Sequence, residues 1–138
     1  MRYLADSTFV IDCLTHRPHT RQLLPNLLRQ GLAVSFIAHM EFWDGVYGST
    51  NPREAARQLR NFLRRVSILP FSHRTSLRTA QLRHDMRGLG LRIDHRLLDI
   101  LIAGTALTYD LTMVTSDADY GDIPGLKRLD PRTTSPLL

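Results

Sequence analysis

Five carboxylates border apolar segments of this 138-residue sequence, in positions that favour metal chemistry. They are Asp6, Glu41, Asp99, Asp117 and Asp119. Asp99 needs an explanation most, because it stands inside the apolar helical run L-L-D-I-L-I-A-G-T-A-L. A buried carboxylate without a partner is so costly that such groups are paired, bound to a metal or protonated.

The surrounding elements are predicted to bring these carboxylates together. Short apolar runs at 3–5, 32–36, 111–115 and 126–129 are typical of buried strands, and 67–71 is a strand or an extended link. Between them, helical patterns begin near residues 7, 19, 37, 51, 73 and 97. We expect Ser7 or Thr8, Asn51 and Asp94 to be N-caps. Alternating strands and helices predict an α/β fold with a mainly parallel sheet, whose ligands collect beyond the carboxyl ends of the strands.

A cluster of carboxylates requires a counter-charge. One or two Mg²⁺ or Mn²⁺ ions would supply it, since hard divalent cations prefer carboxylate and water oxygens. A metal held in this way can activate water and stabilise the charge that develops on a phosphodiester, and two ions about 4 Å apart would clamp both reacting oxygens. The sequence therefore predicts a metal-dependent reaction on a phosphate ester.

Each carboxylate also has a purely structural interpretation. Asp6 can cap the first helix, Glu41 can be a solvated helix residue, and Asp117 and Asp119 can stabilise a turn. For Asp99 the alternative partner is Arg96, three residues earlier in the sequence. Three further acids, Asp12, Asp94 and Asp110, are interpreted as structural, with Asp12 and Asp110 facing solvent.

The basic balance of the chain favours an anionic partner. Net charge is +5, the sequence pI is about 10.1, and Lys127 is the only lysine. Arginines recur at helical spacing in two segments, at positions 53, 57, 60 and 64 and at positions 74, 78, 83 and 87. These arginines can bind nucleic-acid phosphates, face an acidic protein or simply solvate a helix. Trp43 and Phe42 are expected in the core or at a dimer interface rather than as platforms on which bases stack.

Nothing in the sequence indicates secretion or a membrane anchor. The single cysteine, Cys13, stands among apolar residues and is expected to be a buried thiol. The N-terminus lacks the apolar run of a signal peptide, and no apolar segment reaches the roughly 20 residues of a membrane span. A cytoplasmic protein is therefore expected.

Four segments, in order, resemble the motifs of the PIN domain, and in particular of the VapC-type toxin ribonucleases of toxin–antitoxin pairs. L-A-D-S-T-F-V-I-D is similar to the first motif and A-V-S-F-I-A-H-M-E-F-W-D-G to the second, with Ser35, Glu41 and Gly45. L-L-D-I-L-I-A-G-T-A-L is similar to the third, and V-T-S-D-A-D-Y-G-D-I-P-G-L to the fourth. Asp117 and Tyr120 stand where many members have Asn and Phe.

The resemblance implies a Rossmann-like three-layer α/β/α sandwich, spanning 1–130, with a C-terminal tail at 131–138. It implies Mg²⁺- or Mn²⁺-dependent RNA cleavage, a homodimer, and an antitoxin whose C-terminal segment blocks the site. Asp6, Glu41, Asp99 and Asp117 would be the metal-pocket carboxylates, with Asp119 a weaker candidate. Ser7 or Thr8, together with Thr115, would hydrogen-bond carboxylates or metal-bound water.

Other functions were weighed against this one. A phospho-accepting receiver domain would need an acidic pair after the first strand and an aspartate after the third, and the sequence lacks both. A D-x-D phosphatase fails because Thr8 occupies the second aspartate position. A non-catalytic nucleic-acid or protein-binding module on the same fold and a structure-specific DNA nuclease remain as alternatives.

Overall fold

The computed structural model describes residues 1–134 and contains a five-stranded parallel sheet. Its strands are β1 (Tyr3–Ala5), β2 (Leu32–Ser35), β3 (Ser67–Leu69), β4 (Thr112–Val114) and β5 (Arg128–Leu129). Their order across the sheet is β3-β2-β1-β4-β5, and each neighbouring pair is parallel. The chain therefore adds β2 and β3 on one side of β1 and then crosses over to add β4 and β5 on the other side. The topological switch point lies between β1 and β4, which are neighbours in the sheet but far apart in sequence.

Six helices connect and cover the strands. They are α1 (Ser7–Leu14), α2 (Thr20–Gln30), α3 (Phe36–Tyr47), α4 (Pro52–Leu63), α5 (His73–Gly88) and α6 (Leu97–Thr108). Every residue of β1 and β2 is buried, and because successive side chains of a strand point to opposite faces, both faces of the sheet are covered. The predicted α/β fold with a helix-flanked parallel sheet is confirmed.

Local signals placed several helix ends correctly. Asn51 caps α4 by accepting a hydrogen bond from the Glu54 amide at 3.3 Å, and Pro52 opens that helix. Gly31 follows α2 with a φ of +99°, a conformation that glycine adopts without strain. A Cβ there would also lie 2.7 Å from the Met1 backbone.

Two predicted caps were wrong. Asp6, rather than Ser7 or Thr8, caps α1, because the extended backbone of Asp6 lets its carboxylate accept from the Phe9 amide at 2.7 Å. Asp94 caps nothing, since α6 begins three residues later and its N-cap, Arg96, makes no side-chain capping bond. The segment expected as a loop around Asp119 contains a short 3₁₀ helix, Ala118–Asp122.

The C-terminal segment begins with packed residues. Pro131 is buried, and Arg132 Nη2 lies 3.6 Å from Asp12 Oδ2. His19 Nε2 lies 3.2 Å from the same oxygen, and the Asp12 side chain is only 13% exposed, so the prediction that Asp12 faces solvent was wrong. Asp110 does face solvent, beside Lys127. The rest of the predicted tail, 135–138, lies outside the described residues.

No helix within residues 1–134 combines the length and the apolar character needed to cross a membrane. The chain's apolar residues instead form one core around the sheet, and α5 packs closely on α6. At that crossing, Gly104 of α6 faces Thr79 of α5, and a Cβ at position 104 would lie 2.9 Å from Thr79 Cβ and closer still to Thr79 Oγ1. This glycine therefore sets the separation of the two helices.

We expect Gly104→Ala to lower the free energy of unfolding by about 1–3 kcal/mol, because the added methyl overpacks a rigid crossing. Gly45→Ala is the matched control, since Gly45 is also in a helix interior and a Cβ there meets nothing within 4 Å. Alanine at position 45 should stabilise the protein by roughly 0.5–1 kcal/mol. Urea unfolding measures both, and equal effects at the two positions would contradict the close approach at Gly104.

Cys13 is buried on α1, as predicted, and burial raises the pKa of its thiol to about 12 from the usual value of 9.0. Below pH 9 the thiol is protonated in both states, so it contributes no pH dependence. Above pH 9 the unfolded thiol ionises while the native thiol keeps its proton. Stability should therefore fall as pH rises from 9 toward 12.

Between pH 9 and pH 10, wild type should lose roughly 1 kcal/mol more unfolding free energy than Cys13→Ala, which has no thiol to titrate. The comparison uses urea unfolding of both proteins at each pH, so the constant effect of the substitution cancels. Parallel pH profiles for the two proteins would show that the thiol is not shielded from ionisation.

Candidate functional site

The site begins where the topology of the sheet reverses, at the carboxyl ends of β1 and β4. Ala5 pairs with Val114, so the next residues, Asp6 and Thr115, emerge side by side. Thr115 Oγ1 donates to Asp6 Oδ2 at 2.5 Å, and both residues are buried. In open parallel sheets such a switch point is the usual ligand-binding crevice.

Asp6 is an unusual cap because it is almost completely enclosed, at 3% exposure. Burial raises its pKa, and the negative charge of Asp117 raises it further, against the lowering effect of the bonds from Thr115 and Phe9. The cap and site interpretations of Asp6 are therefore compatible. Each carboxylate oxygen accepts one hydrogen bond and keeps another lone pair for a ligand.

Asp117 is held at this edge by its own turn. Its backbone amide donates to Thr115 Oγ1 at 3.0 Å, and its Oδ1 accepts from the Asp119 amide at 2.9 Å. The turn interpretation of Asp117 is thus observed, yet its carboxylate remains exposed and charged beside Asp6. Asp119 is also exposed, and it contributes its carbonyl oxygen to a bond described below.

Asp99 enters the site from the first turn of α6. The buried Tyr120 hydroxyl donates to Asp99 Oδ1 at 3.3 Å. Burial raises the pKa of Tyr120, and the negative charges of Asp99, Asp6 and Asp117 raise it further. Hydrogen bonds connect these residues in sequence: Thr115 Oγ1 donates to Asp6 and accepts from the Asp117 amide, and the Tyr120 hydroxyl of the following 3₁₀ helix donates to Asp99.

Glu41 approaches from α3. Ser7 Oγ donates to Glu41 Oε1 at 2.8 Å, which ties the glutamate to the residue that follows Asp6. Glu41 and Asp99 both line a cavity of about 330 Å³ between α3 and the start of α6. Thr8, the alternative to Ser7, is exposed on α1.

Arg96 does not pair with Asp99, so that structural alternative was wrong. Its guanidinium donates a bidentate pair of hydrogen bonds to the Asp122 carboxylate, at 2.8 Å from Nη1 to Oδ2 and 2.9 Å from Nη2 to Oδ1. Nη2 also donates to the Asp119 carbonyl oxygen at 2.7 Å. The chain folds the acidic turn back over the N-terminus of α6, where Asp122 offers the better geometry. Arg96 is 9% exposed. Its hydrogen bonds connect the N-terminus of α6, which carries Asp99, to the segment that follows Asp117.

The roles of Asp122 and the Tyr120 hydroxyl were missed from the sequence. Tyr120 was noted only as an aromatic residue in the fourth motif. Arg96 could have given the signal for Asp122, because an arginine at the start of an apolar helix needs a carboxylate or carbonyl partner, and D-Y-G-D offers one.

The donor set fits a hard divalent cation. It consists of oxygen atoms from Asp6, Asp99, Asp117 and Glu41, with hydroxyls behind them. Across residues 1–134, no three His, Cys, Asp or Glu side chains already stand at metal-binding separation. Carboxylate oxygens are the ligands that Mg²⁺ prefers, and this ion keeps several water ligands and is usually held by one or two protein carboxylates.

This parallel sheet, with an acidic crevice at its switch point, defines a nuclease-like α/β domain. The PIN-domain family profile matches residues 3–126, and the chain belongs to that family. It is similar to ribonuclease VapC1 of Haemophilus influenzae strain R2866, with 28% identity over 83% of this chain and 86% of that protein. It is 28% identical to ribonuclease VapC2 of Rickettsia felis, over 91% of this chain and 95% of that protein.

A solved structure extends the comparison. The crystal structure of VapBC2 from Rickettsia felis, bound to a DNA fragment from their promoter, superposes with a TM-score of 0.85. Identity is 26%, and the match covers 94% of this chain and 98% of that chain. The predicted family and fold are confirmed.

The bond from Arg96 to Asp122 is expected to stabilise the assembled site. Arg96→Met should lower the unfolding free energy by roughly 1–3 kcal/mol, because hydrogen bonds to a charged group are lost. The double variant Arg96→Met with Asp122→Asn should lose less unfolding free energy than the sum of the two single losses, because both substitutions remove the same interaction. Urea unfolding of the four proteins measures the coupling, and full additivity would mean that the two side chains do not interact in solution.

Proposed function

We propose that this chain is a divalent-metal-dependent endoribonuclease and the toxin of a toxin–antitoxin pair. The observation that carries the proposal is the placement of Asp6, Asp117 and Asp99 near the switch point, where Thr115 hydrogen-bonds to the first two and Tyr120 to the third. Named relatives in the same family, similar over most of their length, are ribonucleases. The chain's net charge of +5 suits a polyanionic substrate.

The metal would be held by Asp6, Asp99 and Asp117, with Glu41 completing the pocket and Asp119 a weaker candidate. When bound, Mg²⁺ or Mn²⁺ supplies water activation and stabilises charge on the phosphodiester. Hydroxyl side chains of the protein orient the carboxylates that would hold the metal. Thr115 orients Asp6, Tyr120 orients Asp99 and Ser7 orients Glu41, each through a hydroxyl hydrogen bond. Thr8 has no such contact and is the weakest of the predicted supporting residues.

The proposed biology follows from the relatives. The Rickettsia felis structure is a VapBC2 complex, and we propose that this chain likewise binds a cognate antitoxin. We also propose that it forms a homodimer, acts in the cytoplasm, and uses residues 1–130 as a single nuclease domain. The full set of carboxylates argues against the non-catalytic binding module considered above.

Asp99→Asn should lower the rate of RNA cleavage by roughly 100-fold or more, because a group that helps hold the metal contributes several kcal/mol of charge stabilisation. Asp110→Asn is the matched control, since Asp110 is exposed beside Lys127 and outside the crevice. The assay follows total RNA, a panel of transfer RNAs and matched DNA with Mg²⁺, Mn²⁺ or EDTA.

Cleavage of RNA that requires metal and Asp99 but not Asp110 would support the proposal. Cleavage of DNA alone would favour the DNA-nuclease alternative. Equal activity of Asp99→Asn and wild type, or no cleavage by either with RNA binding retained, would contradict the catalytic role and favour a binding module.

A further inference from the structure

A row of four aromatic side chains runs along α3, and none of them is needed to hold the carboxylates. The row consists of Phe36, His39, Trp43 and Tyr47. Successive ring centroids are 5.3, 6.3 and 6.2 Å apart, so the rings form a continuous surface. Phe36 is 46% exposed and Tyr47 is 76% exposed, while Trp43 donates its indole N–H to His39 Nε2 at 3.2 Å.

An arginine stripe on α4 lies beside this aromatic row. The stripe consists of Arg53, Arg57, Arg60 and Arg64, all exposed. Their spacing places them on one face of the helix, about 5–6 Å apart along its axis. The two features meet where the Arg60 guanidinium lies over the Trp43 ring, with Cζ 5.4 Å from the centroid. Arg57 is offset by Glu54, and Arg64 bonds only the neutral Asn61.

The aromatic row is continuous with the catalytic crevice. A groove of about 800 Å³ is lined at one end by Ser7 and Glu41 and at the other by His39, Trp43 and Tyr47. Because Glu41 and the row lie on different flanks of α3, a ligand filling this groove crosses the helix past Met40. A chain bound to the row therefore has a direct path to Glu41, which also lines the cavity that contains Asp99.

We propose that the aromatic row and the arginine stripe bind single-stranded RNA and deliver it to the crevice. Bases would stack on Trp43 and Tyr47, and phosphates would contact Arg60 and its neighbours. The inference rests on the proposed ribonuclease function, which it extends by naming the surface and the strandedness of the substrate. Aromatic rings combined with arginines are the usual means of holding unpaired bases without reading their sequence.

The exposed arginines beside the aromatic rings favour RNA over an apolar protein partner on this surface. A purely apolar partner would have to desolvate the exposed arginines, whereas an RNA strand offers both stacking faces and phosphates. Asp44 and Glu41 are carboxylates of α3 that line the groove, so phosphates should run on the α4 side of the row. The surface thus has one edge for bases and one for phosphates.

Trp43 provides a direct test because it is the only tryptophan in the chain. In EDTA, which prevents metal-dependent cleavage, a single-stranded RNA 12-mer should quench Trp43 fluorescence saturably. An abasic oligomer of the same length and charge should bind more weakly and quench little, since it has no bases to stack. A blunt RNA duplex should quench less than the single strand.

Variants on the row and stripe should weaken binding of a fluorescein-labelled strand in the same buffer. Tyr47→Ala and Trp43→Ala should each reduce affinity by roughly 5- to 100-fold, the effect of losing one stacked base. Arg60→Gln should weaken binding and lower the salt slope by about 0.7. Arg21→Gln, at an exposed arginine of α2 that belongs to neither arginine series, is the charge-matched control and should change affinity least. Tyr47 is 76% exposed, so its replacement should leave the fold intact, and thermal melting checks this for all variants.

The outcomes separate this inference from the proposed function. Normal RNA cleavage by wild type, with no quenching and unchanged binding by the row variants, would overturn the inference while leaving the ribonuclease proposal intact. Quenching with variant-sensitive binding, but no cleavage with metal, would support the surface and contradict the nuclease. Equal quenching by the abasic strand, or row variants that change only the oligomeric state in light scattering or only antitoxin binding, would assign the surface to another partner and overturn the inference.

Discussion

Mutual repulsion among carboxylates is the constraint on which the site depends. Asp6, Asp99 and Asp117 come from the end of β1, from α6 and from the turn after β4, and Thr115 and Tyr120 hydrogen-bond to them there. The nearby cation, Arg96, is directed to Asp122 instead. An arrangement of this kind is unfavourable for folding, and a bound divalent cation would turn it into a favourable one.

Hydrogen bonds and helix packing in the surrounding fold hold these carboxylates near one another despite their repulsion. The switch point places Asp6 beside Thr115, and a hydrogen bond of 2.5 Å fixes the pair. Arg96 fastens α6 to the acidic turn, and Gly104 lets α5 approach the same helix closely. The carboxylates are therefore positioned by elements whose stability comes from hydrogen bonds and packing that involve no metal ion.

The features that could be predicted from the sequence are those that depend on local residue patterns. Apolar runs alternating with helices predicted the parallel sheet, and the four acidic motifs predicted the family, because both are local patterns. Partners chosen in three dimensions were less accessible. Arg96 has two acids within reach, Asp99 nearby in sequence and Asp122 in the distant turn, and only the folded geometry selects Asp122. The cap of α1 was misplaced for a related reason, since Asp6 serves as cap and site residue together.

The central claim is that this acidic crevice is built to bind a divalent cation. Calorimetric titration of Mn²⁺ into the wild-type protein, and into Asp99→Asn, tests it without depending on any substrate. We predict saturable binding by wild type, with a rise in Tm as the ion relieves the carboxylate repulsion, and greatly weakened binding by the variant. Absence of binding by wild type, or equal binding by both proteins, would contradict the account.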